Sequence, residues 1–405
     1  MMVFSGESGL GKSYVAVLCH YFFYVWLNSK RLDSFFKNLI GSRGIDFFNK
    51  EQSLLDKGIA LTITKTELQK WLAQDAVSYL AYMFGNENII ADIDVELPNV
   101  FPNSIPFYYE KELMGINDAE DIYIKLTVLG IIYRFKEIAI QDESPYAFSF
   151  RYAAIKELFG DYQKLDYDFV LPPSRGSYLS EDIHAKTGLY KSFIVGMKGL
   201  EQAQEIPDSV NKNLMDLLRK VIDGEVKKMG DNYIYVTHGK ALPASAAASS
   251  VREIAPLQMM ITKRDISKAS VLIEEPEAHL HPLKQRMMAD IIATMALGGA
   301  SMQITTHSDY FLRRINDLLR LYILRSNNSE EKYLQICKEH DIVPELTLDP
   351  SILSTYYLEK GEADDFVTVK KQSSESGIPF DTFAKINGKP LEDSSILYEL
   401  TADNE

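Results

Sequence analysis

A chain of 405 residues, 46 % apolar and 25 % charged, has the composition of a folded globular protein and enough length for two or three packed lobes. Its formal net charge of −14 repels the phosphate backbone of nucleic acid unless basic residues gather on one face, so composition gives nucleic-acid binding no support. Two cysteines, Cys19 and Cys337, cannot build a disulfide framework or a cysteine-rich metal site, which fits a reducing, cytoplasmic setting.

Met1 to Ser5 reads as the end of a short apolar strand, followed by a glycine-rich turn and a helix beginning near Lys12. The turn, Gly6-Glu7-Ser8-Gly9-Leu10-Gly11-Lys12-Ser13, meets the phosphate-binding pattern GxxxxGK[ST] at every fixed position. Glycines let the backbone wrap closely around phosphates, and amide N–H groups at a helix start attract negative charge. Lys12 is placed to reach the β and γ phosphates, and Ser13 to hold Mg²⁺. The apolar stretch from Tyr14 to Leu27 is shorter than the ~20 residues a membrane-spanning helix needs, and reads as a buried core helix. No basic leader and no small-residue cleavage site stand at the N-terminus, so no secretory signal is expected.

From Ser29 to about Glu120 a long helix, Thr66 to Phe84 with Glu67 in its first turn, mixes with strands Ile59 to Thr64 and Ile90 to Leu97. Ile122 to Glu137 and Tyr146 to Tyr152, rich in β-branched and aromatic residues, predict antiparallel strands. Asp166 to Leu171 predicts another, ending at Pro172-Pro173-Ser174-Arg175-Gly176. Helices Thr187 to Ala203 and Ser209 to Ile222 follow, then a hairpin from Val226 to Val236 turning at Gly230-Asp231-Asn232. The final third alternates strand and helix: Ala269 to Ile273, Pro282 to Leu297, Met302 to Thr305, Tyr310 to Arg325. Such alternation means parallel strands with crossover helices. The expected organisation is an α/β core built from residues 1–30 and 240–405, with 31–239 as an inserted lobe of helices and strands. The abundant aromatics fall within apolar helix and strand patterns, where core packing explains them.

Two further strand ends carry chemistry. Val271-Leu272-Ile273-Glu274-Glu275 is an apolar run delivering two carboxylates at its carboxyl end, the edge where parallel sheets bind ligands. Glu274 stands where a metal ligand is needed, and Glu275 where a base can orient and deprotonate an attacking water. Acidic residues after strands also occur as plain solvated ends. Met302 to Thr305 runs into Thr306-His307-Ser308, and a histidine there can donate a hydrogen bond to a γ-phosphate; a packing histidine is the alternative.

The run Ile273-Glu274-Glu275-Pro276-Glu277-Ala278-His279-Leu280-His281-Pro282, with Thr305-Thr306-His307-Ser308, resembles the ABC-like ATPases of the OLD and RecF type, a branch of AAA proteins with EEPExHLHP and TTHS motifs. The resemblance implies a P-loop NTPase with an ABC-type ATPase head, a mixed parallel sheet and an inserted α+β and helical lobe. It makes Glu275 the catalytic carboxylate, Glu274 the Mg²⁺-associated acid and His307 the switch histidine, with ATP and Mg²⁺ as ligands. The family's signature, usually Ser-Ser-Gly before a helix, reaches across a dimer to the partner's γ-phosphate. It aligns with Ala248-Ser249-Ser250-Val251-Arg252-Glu253, making Ser249 the signature serine, with Ser250 in place of the glycine. An Ala/Ser-rich loop with an ordinary helix cap is the plainer reading. Asp168 to Arg175 resembles the family's strand and Pro-x-x-Arg turn, where Arg175 faces the nucleotide, the dimer seam or a surface ion pair. Tyr356 to Glu359, Val367 to Lys370 and Gly377-Ile378-Pro379 resemble the closing strands and helix of such heads.

Two departures stand out. Family members carry a strand subdomain before the phosphate loop, with an aromatic that stacks on adenine, and five residues precede Gly6 here. The glutamine that couples metal to the helical lobe has Gln141 as its nearest candidate. His279 and His281 beside Glu277 suggest a metal site less than a turn with a structural or dimer-seam role.

What the resemblance implies is an ATPase that dimerises on ATP, or forms a higher oligomer, and controls a separate effector protein, as OLD-like ATPases do in bacterial antiviral defence against phage. A slow-hydrolysing nucleotide-sensing scaffold for a separate nuclease is one alternative, since no nuclease, HNH or Toprim-type acidic constellation is evident in the chain. A RecF-like DNA-repair ATPase is another, and would need a basic stripe.

Overall fold

The computed structural model describes residues 1–42, 57–116, 119–136, 144–161, 163–179, 184–207, 209–230, 232–361, 364–372 and 377–379. Strand β1 (Met2–Gly6) opens the chain and leads into helices α1 (Lys12–Leu27) and α2 (Ser29–Ser42). Strand β2 (Lys57–Thr64), helix α3 (Lys65–Phe84) and strands β3 (Ser104–Ile116), β4 (Ala119–Val128) and β5 (Ile131–Lys136) follow. Next come α4 (Pro145–Phe159), β6 (Tyr167–Leu171), α5 (Gly188–Gln202) and α6 (Lys212–Ile222). A small sheet of β7 (Glu225–Met229), β8 (Asn232–Thr237) and β9 (Lys240–Pro243) precedes α7 (Ser249–Lys263). The chain then alternates β10 (Ala269–Glu274), α8 (Pro282–Leu297), β11 (Ser301–Thr305) and α9 (Asp309–Ser326). Helix α10 (Glu330–Glu339) and strands β12 (Ser354–Gly361) and β13 (Asp364–Gln372) complete it.

The central sheet runs β13-β12-β1-β11-β10-β6, parallel throughout except for the antiparallel edge β13. Its central strands β1, β11 and β10 are buried on both faces, as parallel strands with crossover helices must be, while the edge strand β13 is exposed. Val3, Val271, Ile273 and Ile304 enter one core with α8 and α9, while Phe4, Val170, Leu272 and Leu358 enter the other with α1, α3 and α4. This is an α/β fold with a mixed, mostly parallel sheet flanked by helices.

Most predicted elements form, with boundaries set by local chemistry. Helix α3 starts one residue earlier than expected, because Thr64 and Glu67 make a reciprocal capping box, each side chain holding the other's backbone N–H. A two-residue turn with both backbones left-handed, Leu129 (φ 49°) and Gly130 (φ 73°), joins β4 to β5. Gln141, Glu137 and Asp231 lie outside the described residues.

Three expectations are corrected. Tyr146 to Tyr152 is helical, within α4: Pro145 sits in its first turn and the aromatics Tyr146 and Phe150 share one buried face four residues apart. Ile90 to Leu97 forms no strand; Val95 and Leu97 are buried while Ile90 is exposed, and Gln69 ties the segment to α3 by donating to the Val95 carbonyl. Residues 31–239 do not stand apart as one inserted unit. β6 is the edge strand of the central sheet, paired with β10, and β2 to β5 pack into the same core as α1. Among the described residues, no helix is long and apolar enough to cross a membrane.

Candidate functional site

Register brings the sequence-predicted residues to one edge. Phe4 of β1 and Glu274 of β10 both pair with Thr305 of β11, so three strands end level. Backbone bonds beyond the strands keep the ends together: Thr306 N–H donates to the Phe4 carbonyl (3.1 Å) and Glu275 N–H to the Thr305 carbonyl (3.0 Å). The carboxyl edge of such a sheet is where open α/β folds take their ligands.

At the end of β1 the chain makes the glycine turn. Gly6 has φ 135°, and a Cβ there would stand 2.4 Å from the Leu358 carbonyl oxygen, so only glycine fits against β12. Gly9 and Gly11 are left-handed, and Gly11 caps α1. Glu7, Ser8 and Gly9 are exposed while Leu10 is buried and anchors the loop from beneath. The Lys12 ammonium folds back over the loop, donating to the carbonyls of Gly6 (2.9 Å) and Glu7 (2.7 Å). Burial lowers its pKa, and the charges of Glu275 and Glu277 oppose that shift. A backbone cradle with a cation at its centre is suited to a polyphosphate.

Ser13 and Glu274 meet across α1 and β10. Glu274 is buried close enough to the Ser13 hydroxyl to feel it, and its Oε1 has no partner. Burial pushes its carboxyl up to about 7; the nearby Ser13 hydroxyl opposes this and the Glu275 charge adds to it. An orphaned carboxylate oxygen beside a serine hydroxyl fits Mg²⁺, which takes one or two protein oxygens and completes its shell with water and substrate phosphate.

Glu275 and His307 face each other from adjacent strand ends, carboxylate oxygen and ring nitrogen 3.6 Å apart. Glu275 adopts a left-handed backbone (φ 47°), a strained conformation for a residue with a side chain, and it turns the carboxylate out of the strand line into the open edge. The His307 pKa is lowered, first by burial and then by the Lys12 charge, with Glu275 pulling the other way. The ring is therefore neutral at neutral pH and can donate one N–H.

Two residues named in the sequence take roles it did not assign. Glu277 is buried, and its Oε1 accepts from the Thr306 hydroxyl (2.7 Å) and the His307 backbone N–H (2.9 Å). Arg175 is buried too, at 1 % exposure, which rules out a surface ion pair or an open face toward a nucleotide. Its guanidinium donates to the carbonyls of Glu253 (2.9 Å), Glu274 (3.0 Å) and Pro172 (3.2 Å), with the Glu253 carboxylate 3.9 Å away. Arg175 thus straps α7 to the end of β10. Only the acid after Pro276 and the Pro-Pro-Ser-Arg turn hinted at either role.

Ser249 stands exposed in the first turn of α7, whose link to the carboxylate cluster runs through Arg175. Ala248, not Ser249, occupies the cap and no side chain closes that helix end; Val251 N–H donates to the Ala248 carbonyl (3.0 Å), which leaves the Ser249 and Ser250 N–H groups to meet an anion. His279 sits left-handed in the turn, and His281 caps α8, accepting from Leu283 N–H at 3.4 Å.

Residues 195–312 match a family model described as the AAA ATPase domain. Among curated proteins none matches. Among solved structures the chain is similar to the crystal structure of the SmcHead bound to the C-winged helix domain of ScpA. That similarity has 9 % identity, a TM-score of 0.36, and covers 92 % of this chain and 90 % of that one. The matched segment, which carries β10, α8 and β11, is similar to AAA ATPase domains, and the glycine turn of the phosphate-binding pattern lies outside it.

Proposed function

We propose that this chain binds ATP with Mg²⁺ and hydrolyses it, pairing face to face with a second copy and passing the nucleotide state to a separate effector protein. The observation that carries the reading is the convergence of Lys12, Glu274, Glu275 and His307 on one sheet edge. Gly6 to Ser13 and Lys12 hold the phosphates. Ser13 and Glu274 would hold Mg²⁺, which when bound supplies positive charge to the β and γ phosphate oxygens. Glu275 orients a water for in-line attack and accepts its proton as the bond from the γ phosphorus to the bridging oxygen breaks and ADP leaves. Neutral His307 donates to a γ-phosphate oxygen without adding charge beside Lys12. Ser249 and the uncapped N–H groups of α7 serve the nucleotide of the second copy, which explains a polar helix start left open to solvent.

The motif resemblance extends this to an OLD-type or RecF-type cytoplasmic ATPase acting in defence against phage. The net charge of −14 favours a protein effector over DNA. The test is ATP turnover and particle size with and without ATP, in the wild type and in Glu275→Gln. The variant should lose about 100-fold or more in turnover while holding ATP in a trapped dimer. Normal turnover in the variant would refute the assignment. Near-zero wild-type turnover with a copurifying protein would favour the nucleotide-sensing scaffold.

A further inference from the structure

Glu277 lies two residues past Glu275, where the turn after Pro276 brings it back beneath the strand ends at 6 % exposure. A buried carboxylate costs several kcal/mol unless its oxygens are bonded. Here one oxygen does all the bonding: Oε1 accepts from both Thr306 Oγ1 and His307 N–H, while Oε2 is buried without a partner. Thr306 Oγ1 in turn accepts from Ser308 N–H (3.1 Å), so the carboxylate holds the 306–308 segment through two links. A residue kept only for packing would not leave a carboxylate oxygen unsatisfied in the interior, because an apolar side chain avoids that cost. Its two bonds end on the backbone and the neighbour of the one histidine that faces Glu275.

We infer that Glu277 is a positioning residue: by clamping Thr306 and the His307 backbone it fixes the His307 ring opposite Glu275 and the γ-phosphate. The inference rests on the ATPase reading for its consequence, and its test lets the two fail separately.

Glu277→Gln keeps an oxygen that can accept both bonds, and should hold kcat within about threefold of wild type. Glu277→Ala should lower kcat by about ten- to a hundredfold while leaving the Kd for a non-hydrolysable ATP analogue within about threefold. Adding Glu277→Ala to His307→Ala should change kcat by less than about twofold, because the ring it positions is already gone. A multiplicative loss in the double variant, or a folded Glu277→Gln as slow as Glu277→Ala, overturns the inference. Amide hydrogen exchange reads the clamp without turnover: the His307 N–H should exchange about tenfold or more faster in Glu277→Ala than in wild type or Glu277→Gln. Equal protection in all three overturns the inference as well. The expected exchange pattern in a wild type that hydrolyses nothing would leave the clamp standing and remove the ATPase reading instead.

Discussion

The carboxylate of Glu275 and the ring of His307 stand 3.6 Å apart at the ends of two adjacent parallel strands, one on a strained backbone and the other held from behind by Glu277. Lys12 biases the same ring from the opposite direction, so three side chains distant in sequence share one electrostatic environment.

That environment sets the protonation of His307. Its NMR titration midpoint should lie below the ordinary histidine value of about 6.5. Glu275→Gln removes the charge that raises it and should move the midpoint lower; Lys12→Met removes the charge that lowers it and should move it higher. Shifts in the opposite directions would show that the two groups do not face this ring.

Glu274 predicts a pH-dependent metal affinity. Its carboxyl, raised to about 7, must lose its proton to take Mg²⁺, so affinity should fall by up to about tenfold per unit as pH drops below that value. A raised carboxyl also stabilises the metal-free fold while protonated and loses that stabilisation as pH rises through about 7. In Glu274→Gln both slopes should flatten, as read by calorimetric Mg²⁺ titration and by Tm across pH 5.5 to 8.5, a window of ~3 units.

Arg175 should be costly to lose. Arg175→Ala strands three carbonyls and opens a cavity, and should destabilise the chain by about 3 to 5 kcal/mol in urea denaturation. Arg175→Lys should recover only part, because one ammonium cannot reach donors aimed in a planar fork at residues on three segments. A loss below about 1 kcal/mol for alanine would mean the strap contributes little.

Gly6 and Gly9 should respond differently to alanine. At Gly6 the added methyl meets the Leu358 carbonyl at 2.4 Å, so the strand pair must part and ATP binding should be abolished. At Gly9 nothing lies within 4 Å, and only the left-handed backbone resists, at about 1 to 2 kcal/mol. Equal effects in ATP binding and thermal melts would argue against the close β1–β12 approach.

Much of the site is readable from consecutive residues. The glycine turn is largely local: Gly9 and Gly11 take left-handed angles with nothing within 4 Å of a Cβ, so eight adjacent letters describe the cradle and its cation, and only the approach of Gly6 to Leu358 is set from a distance. The alternation of β10, α8, β11 and α9 is equally legible, because apolar strands separated by helix starts at His281-Pro282 and Ser308 differ in period from the helices between them. Tyr146 to Tyr152 misleads because aromatic content favours strands, while the buried face that makes α4 a helix exists only against α1, α2, β4 and β5 packed around it. The placement of β6, the burial of Arg175 and the two bonds to Glu277 depend on strand register and on helices packed from elsewhere in the chain. By itself, then, the sequence determined the glycine turn, the carboxylate pair and the histidine that the proposed reading draws on. Only the tertiary structure decided which of them share a low-dielectric edge, since the distances that set their charges are crossed through the sheet and not along the chain.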